Sequence, residues 1–362
     1  MLVINAGSSS LKLTLLGGED ETIASSELSV TRSRFDLDEL SEALRSGLGD
    51  ADAVGHRIVH GGERYHEAVR IDARVEHDLR ELTALAPLHQ PKSLQALEAV
   101  SERLPDLPAV ACFDTAFHTT LAPAASTYAL PADWRERLHL RRYGFHGLSH
   151  AWVARRAPEL LGHAPEGLRI ISCHLGAGAS LCAIRDGVSV DTTMGFTPLE
   201  GLVMATRSGT VDPGLLLWLA EHERMQPAEL AQALEHESGL LGLSGSADMR
   251  EILTRGERGE DQAELALEVY IHRLQGLIGA MAAAIGGVDA LVFTGGVGEH
   301  APAVRARACA GLGFLGVALD EARNLAAEGD AEIGAGEAAA RTLVLTARED
   351  REIARQTRAV LA

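Results

Sequence analysis

The run Leu2-Val3-Ile4-Asn5-Ala6 enters a small polar turn, Gly7-Ser8-Ser9-Ser10, and the chain leaves on Leu11-Lys12-Leu13-Thr14-Leu15. Apolar residues on both sides of a glycine–serine turn predict a hairpin over residues 1–16: a strand, a tight loop and a returning strand. The same turn has chemistry in it. Ser8, Ser9 and Ser10 offer hydroxyls, Gly7 lets the backbone come close, and Lys12 adds a point charge. Turns of this kind hold phosphate through backbone N–H groups and hydroxyls, although plain connecting turns use the same residues. Lys12 stands out because, of 33 lysines and arginines, only Lys12 and Lys92 are lysine. A compact ammonium meets a phosphate oxygen differently from a planar guanidinium.

Strand and helix signals alternate along the rest of the chain, which predicts an α/β fold. Helical periods cover 36–48, 76–104 and 150–160, and Ala109–Phe113 reads as a buried strand. Leu168–Cys173 is a strand leading into Gly176-Ala177-Gly178. A second strand, Ala179–Arg185, turns at Asp186-Gly187 into a third, Val188–Thr192. A long helix is expected over Gln262–Ile285, then a strand Ala290–Thr294 and a loop Gly295-Gly296-Val297-Gly298, with Glu299 capping the next helix. The chain closes on a strand Thr342–Leu345 and a final helix. The opening strand–loop–strand is echoed at Ile170–Arg185, as a duplicated unit with one phosphate loop per half would be. A length of 362 residues predicts two domains, with a boundary near 118.

A formal net charge of -18 excludes nonspecific binding to nucleic acid or to an anionic membrane. An anionic substrate then needs a local basic pocket. Cys112, Cys173, Cys182 and Cys309 lack metal-type or CxxC spacing and sit in apolar runs, as reduced core residues do. Met1 runs straight into a strand, leaving no room for a signal peptide, and the apolar stretch Leu274–Ile285 is too short to span a bilayer. A cytoplasmic protein is expected.

Several segments carry candidate chemistry. In Gly55-His56-Arg57-Ile58-Val59-His60-Gly61-Gly62, Arg57 can fork onto a carboxylate or phosphate, or be a surface arginine. Asp114 follows an apolar strand, where a carboxylate suits a cleft; it also suits a helix cap. Arg141-Arg142-Tyr143-Gly144-Phe145-His146-Gly147-Leu148-Ser149-His150 concentrates cationic and imidazole groups, which points to an anion site, with His146 a donor toward developing charge. His174-Leu175-Gly176-Ala177-Gly178 resembles a phosphate turn. Thr192 to Gly209 lacks regular periodicity, as functional loops often do, and includes Arg207 as a second anion clamp.

Taken in order, these segments resemble the acetate/propionate kinase family of the ASKHA phosphotransferases, over Val3 to about Arg355. INAGSSSLK, GHRIVHGG, FDTAFH, RRYGFHG, TMGFTPLEGLVM with TRSG, FTGGVGE and the terminal IAR occur in the family's order. The resemblance implies two ribonuclease-H-like domains around a cleft, 1–118 plus 351–362 and 119–350, the second carrying the nucleotide site and the surface of a homodimer. It implies reversible, Mg2+-dependent (or Mn2+-dependent) in-line transfer of the ATP γ-phosphoryl to acetate, giving acetyl phosphate and ADP. Residue by residue it implies Asn5 and Glu349 at the metal, and Ser8, Ser10 and Lys12 in the first phosphate loop. Arg57, Asp114, His146 and Arg207 match the catalytic residues, with His146 and Arg207 stabilising the transition state. Arg57, Val59, Leu88, Phe145 and Pro198 match the acid pocket. His174, Leu175, Gly176, Ala177, Gly178, Asp248, Met249, Arg250, Gly296, Val297 and Gly298 match the nucleotide site. His89 matches a further histidine of the site region.

The chain departs from the family at Gln90, Lys92 and Ser93 (usually Asn, Ala, Asn), at Leu148 (Thr), at Ala177 (Asn), at Met249 (Phe), and at Arg348 and Asp350 (Asn, Glu). None removes a catalytic match. A propionate or other short-acid kinase keeps the same chemistry, since one methylene in an apolar pocket is worth about 1–3 kcal/mol. A nucleotide-binding regulator or ATPase on this fold has no need of two arginine clamps, and the 15 histidines lack metal-ligand spacing.

Overall fold

The computed structural model describes residues 1–7, 10–29, 36–48, 50–85 and 90–362, so Ser8, Ser9, Leu88 and His89 lie outside the described residues. The chain divides into two compact units. One comprises Met1–Thr119, Phe145–Trp152 and Arg348–Ala362; the other comprises Thr120–Gly144 and Val153–Ala347. The segment around His146 and the start of the last helix therefore pack with the first unit, where the 119–350 boundary had them in the second.

The first unit holds a six-stranded sheet of β1 (Leu2–Ala6), β2 (Ser10–Leu16), β3 (Thr22–Ser29), β4 (Val54–Ile58), β5 (Val69–Arg70) and β6 (Ala109–Phe113), in the order β3-β2-β1-β4-β6-β5. β1, β2 and β3 pair antiparallel, β1, β4 and β6 run parallel, and β5 closes antiparallel on β6. The second unit holds β7 (Arg169–Leu175), β8 (Ala179–Arg185), β9 (Val188–Thr192), β10 (Ala290–Thr294), β11 (Ala331–Glu332) and β12 (Arg341–Val344), in the order β9-β8-β7-β10-β12-β11. Its pairings repeat those of the first sheet strand for strand. The sequence echo between residues 1–16 and Ile170–Arg185 is thus the visible end of a duplicated topology.

Period-two alternation decides which face of the first sheet does what. Leu2, Ile4, Leu11, Leu13, Leu15 and Val54 pack beneath the helix Gln90–Arg103 through Ala96, Ala99 and Val100. Val3, Val110 and Cys112 lie on the other face, with Ile353 and Ala354 of the last helix, Glu349–Leu361. Each fully buried Leu, Ile or Val contributes about 1.5–3 kcal/mol by leaving water. Asn5 and Arg57 share the face of the last helix by the same alternation, because Asn5 stands opposite Lys12 and Ile4 stands beside His56.

Lys12 lies on β2, the returning strand expected of the hairpin. Two elements differ from expectation. Residues 76–104 are not one helix: Ala73–Glu81 ends in a 3-10 turn, and a separate helix starts at Gln90. Gly295-Gly296-Val297-Gly298 is not a loop but the start of a short helix, Gly295–His300. Glu299 caps no later helix. Its Oε1 accepts from the N–H groups of Gly295 and Ala347, both at 3.0 Å. All four cysteines are buried thiols. Among the described residues, no helix is long and apolar enough to cross a membrane.

His56 is 1% exposed, and among the described residues neither of its ring nitrogens has a hydrogen-bond partner. Burial lowers its pKa from 6.5 to about 4. The unfolded chain therefore takes up a proton below pH 6.5 that the folded chain refuses. The fold is undiminished above pH 6.5 and loses up to about 3 kcal/mol on this account as the pH falls to 4. We expect His56→Leu to shrink the drop in urea midpoint between pH 7.5 and pH 4.5. An identical drop in the variant would assign the acid lability to other groups.

Candidate active site

In the first unit, the carboxyl ends of the three parallel strands converge on one guanidinium. Arg57 leaves β4 and forks onto Asp114, the residue after β6: Nη2 donates to Oδ2 at 2.7 Å, and Nε donates to both oxygens at 3.1 Å. Its Nη1 donates to Asn5 Oδ1 at 2.9 Å and lies 3.4 Å from Glu349 Oε2. Asn5 Nδ2 donates to the same Glu349 oxygen at 2.8 Å. β1, β4, β6 and the first turn of the last helix each contribute one group to this cluster. Arg57, Asp114 and Glu349 have side chains 12%, 2% and 13% exposed.

Burial alone would lower the Arg57 pKa, but the charges of Asp114 and Glu349 outweigh it and raise it above the ordinary value. Burial pushes the Asp114 carboxyl up, against the pull of Arg57. Those two directions pull apart for a single pair. The forked, charge-assisted geometry decides for the ionised form of both partners at neutral pH.

His146 is set beside Asp114 by its neighbours. The Gly147 N–H donates to the Asp114 carbonyl at 2.8 Å, and a Cβ on Gly147 would fall 2.1 Å from that oxygen. Only glycine allows the helix Gly147–Leu161 to begin there. The backbone turns sharply into it, with His146 at φ 56°. Phe145 is buried and Val59 half-buried in the same unit.

The second unit gathers its own groups at the equivalent carboxyl edge. His174 and Leu175 end β7, and Gly176 N donates to Gly178 O at 3.0 Å to close the turn toward β8. Ala177 is exposed. β10 leads into the Gly295–His300 helix, in which Gly296 is exposed, Val297 half-buried and Gly298 buried. Asp248 caps the helix Met249–Glu257, and Arg250 folds back onto it at 2.7 Å with its side chain 88% exposed. Met249 is buried on that helix beside Ile252. Arg207 Nη1 donates to the carbonyl of buried Pro198 at 3.4 Å.

Two contributions were not visible in sequence. Arg142, read as part of an anion site, is spent on structure: it donates to the carbonyls of Thr192, Thr193 and Met194 and pairs with Glu200 at 2.7 Å. Glu200 also accepts from the Tyr128 hydroxyl at 2.6 Å, so this network staples the irregular loop that holds Pro198. Arg207 pairs with Glu235, which no motif marks. Lys12, 58% exposed, lies 3.9 Å from Glu27 across β2 and β3.

Comparison with known proteins decides the family. The profile of the Acetokinase family matches residues 19–355. The chain belongs to the acetokinase family. The acetate kinase of Thermotoga maritima is 42% identical over 396 aligned residues, covering 100% of this chain and 98% of that one. The crystal structure of Porphyromonas gingivalis acetate kinase superposes with a TM-score of 0.91 at 37% identity, covering 100% of this chain and 99% of that one. A propionate kinase from Francisella tularensis superposes with a TM-score of 0.92 at 33% identity, covering 99% of each chain. The α/β class and the family resemblance read from the motifs are borne out.

Proposed function

We propose that this acetokinase-family chain is an acetate kinase, transferring the γ-phosphoryl of ATP to acetate, reversibly and in line, to give acetyl phosphate and ADP. The forked Arg57–Asp114 pair, with Asn5 and Glu349 on the same guanidinium, carries this reading. Acceptor and ATP are both anions, so the protein's work is alignment and charge stabilisation. Arg57 is assigned to the acceptor carboxylate, and Arg207 and His146 to the charge of the transferred phosphoryl. Acetate is already a nucleophile at neutral pH. Asp114, with both oxygens engaged by Arg57, therefore acts by holding the guanidinium rather than by removing a proton. Val59, Leu88, Phe145 and Pro198 are assigned to the acid's apolar end. The second unit is assigned to the nucleotide, through His174–Gly178, Asp248, Met249, Arg250 and Gly296–Gly298, with Ser8, Ser10 and Lys12 of the first unit at the phosphates.

We assign the metal ion to Asn5 and Glu349. Both side chains carry oxygen, with the Asn5 oxygen accepting from Arg57 and its amide nitrogen facing Glu349, and among the described residues no group of three or more His, Cys, Asp or Glu forms a cage. Magnesium suits such a set, since it takes one or two protein oxygens and completes its shell with water and substrate phosphates. When bound it would neutralise phosphate charge. Four buried thiols suit a reducing cytoplasm.

The test is hydroxamate trapping of acyl phosphate from Mg-ATP with acetate, propionate and butyrate in parallel. Product with acetate supports the reading, and preference for propionate would favour the second reading suggested by the Francisella neighbour. ATP hydrolysis without acyl phosphate would overturn both.

The homodimer is proposed on the helix Pro213–His222. None of its residues is buried, although Leu215, Leu217 and Trp218 are 48%, 66% and 47% exposed. Such an apolar face asks for a partner, and we assign it to a second copy. Sedimentation should give a dimer for the wild type and a monomer for Leu217→Lys/Trp218→Ala. A wild-type monomer, or a variant that stays dimeric, would remove this helix from the interface.

A further inference from the structure

Each arginine of the proposed site has a carboxylate beside it. For Arg57 that carboxylate is Asp114; for Arg207 it is Glu235, a residue that neither motif nor family match singles out. We infer that Glu235 is the positioning residue for Arg207, an inference that rests on the acetate kinase reading.

Arg207 lies in an irregular stretch between β9 and the helix Pro213–His222, so no helix or strand of its own fixes its side chain. Another segment does this from outside. The stretch 233–241 laps along 204–208. Ser208 N donates to Leu234 O at 3.0 Å, Ser238 N to Thr206 O at 3.0 Å, Leu240 N to Met204 O and Leu241 N to Ala205 O, each at 2.9 Å. The Thr206 hydroxyl donates to the carbonyl of Glu235 itself at 2.9 Å. The lap is close: a Cβ on Gly239 would meet Met204 O at 2.2 Å and Arg207 O at 2.6 Å.

Glu235 sits in the single π-turn Ala233–Glu237 that interrupts this segment. Turns of this kind bring out one residue that an α-helix would keep in register, and they recur at functional sites. The residue brought out here is a carboxylate. Its Oε2 lies 3.1 Å from Arg207 Nε, with the two side chains 10% and 13% exposed. This buried oxygen therefore has its charge compensated at close range by the guanidinium. Burial lowers the Arg207 pKa and the Glu235 charge opposes that fall. Glu235 thus offsets part of the cost of burying the guanidinium charge and engages its Nε edge. Nη1 is turned toward the carbonyl of Pro198. A group at Nε that fixes the plane of the fork directs the remaining N–H donors, and misdirection of such donors by about 1 Å costs roughly 100-fold in rate.

The test compares Glu235→Gln and Glu235→Ala with the wild type in the hydroxamate assay, and repeats Glu235→Ala in an Arg207→Lys background. We expect kcat to fall roughly 100-fold in Glu235→Ala and less in Glu235→Gln, whose amide oxygen can still face Nε. The KM for Mg-ATP should stay within about threefold, because the carboxylate acts on one arginine and not on the nucleotide turns. In the Arg207→Lys background, which has no Nε fork, Glu235→Ala should cost less than about threefold more, the non-additivity of two residues that act as one unit. A general packing defect would raise both KM values and persist in that background. Glu235→Gln keeps the shape of the site and carries the test should the alanine variant fail to fold. Glu235 variants that turn over within twofold of the wild type, or an undiminished loss in Arg207→Lys, would overturn the inference. A wild type that makes no acyl phosphate from any acid would instead overturn the kinase reading and this inference with it.

Discussion

Arg57→Ala should lower acetyl phosphate formation by ~10³-fold or more, because one guanidinium serves several roles. Loss of a single donor to developing charge typically costs ~10²–10³ in turnover. Arg57 is also the hub on which Asn5, Asp114 and Glu349 are arranged. Its removal leaves the Asp114 carboxylate, 2% exposed, with the Glu349 charge nearby and no cation between them. Breaking a buried pair on one side costs about 3–5 kcal/mol, so the variant should also melt lower. Arg57→Lys should rescue little, since an ammonium cannot fork onto two carboxylate oxygens while reaching Asn5. Hydroxamate trapping with saturating acetate and Mg-ATP reads the first effect, and a thermal melt reads the second. Turnover within tenfold of the wild type would show that the acid carboxylate is held elsewhere.

The second large effect is expected for Asp114→Asn. An amide keeps the shape and one acceptor but removes the charge that offsets burial of Arg57. The guanidinium then turns toward Glu349, the remaining carboxylate on it. Two consequences follow together: turnover falls by ~10² or more, and the Mg2+ concentration for half-maximal rate rises because Glu349 is drawn onto Arg57. A residue that only removed a proton would depress turnover while leaving the metal dependence untouched. Near-normal turnover with unchanged Mg2+ dependence would end the positioning role.

Strands with strong apolar alternation were legible: β1, β2, β6, β7, β8, β9, β10 and β12 fall where hydrophobic runs and the Asp186-Gly187 turn place them. β3 was not, because Thr22–Ser29 is largely polar and becomes a strand only by pairing at the sheet edge with β2. β4 was hidden for the opposite reason. It lies between two parallel neighbours, yet it carries His56 and Arg57 where a buried strand normally shows valine or isoleucine. Of the two residues that break its pattern, Arg57 is the one that matters at the site. Gly295–His300 was misread because three glycines oppose a helix locally. Its ends are tied by side chains: Glu299 of the same helix accepts from Gly295 N, and fully buried Arg305, from the helix that follows, donates to the carbonyls of Gly298 and Glu299.

The sequence by itself determined the family, the α/β class and which arginines, histidines and carboxylates to watch, because those motifs are local and their order is specific. It also carried the trace of the duplication. Tertiary structure alone decided the partners. Asn5, Arg57, Asp114 and Glu349 span most of the chain and meet because parallel strands end side by side with the last helix across their face. Glu235 meets Arg207 because two irregular segments lap backbone to backbone. Charge pairing at long separation leaves no periodic mark on a sequence, so what each arginine does could be read only once the fold had brought its carboxylate to it.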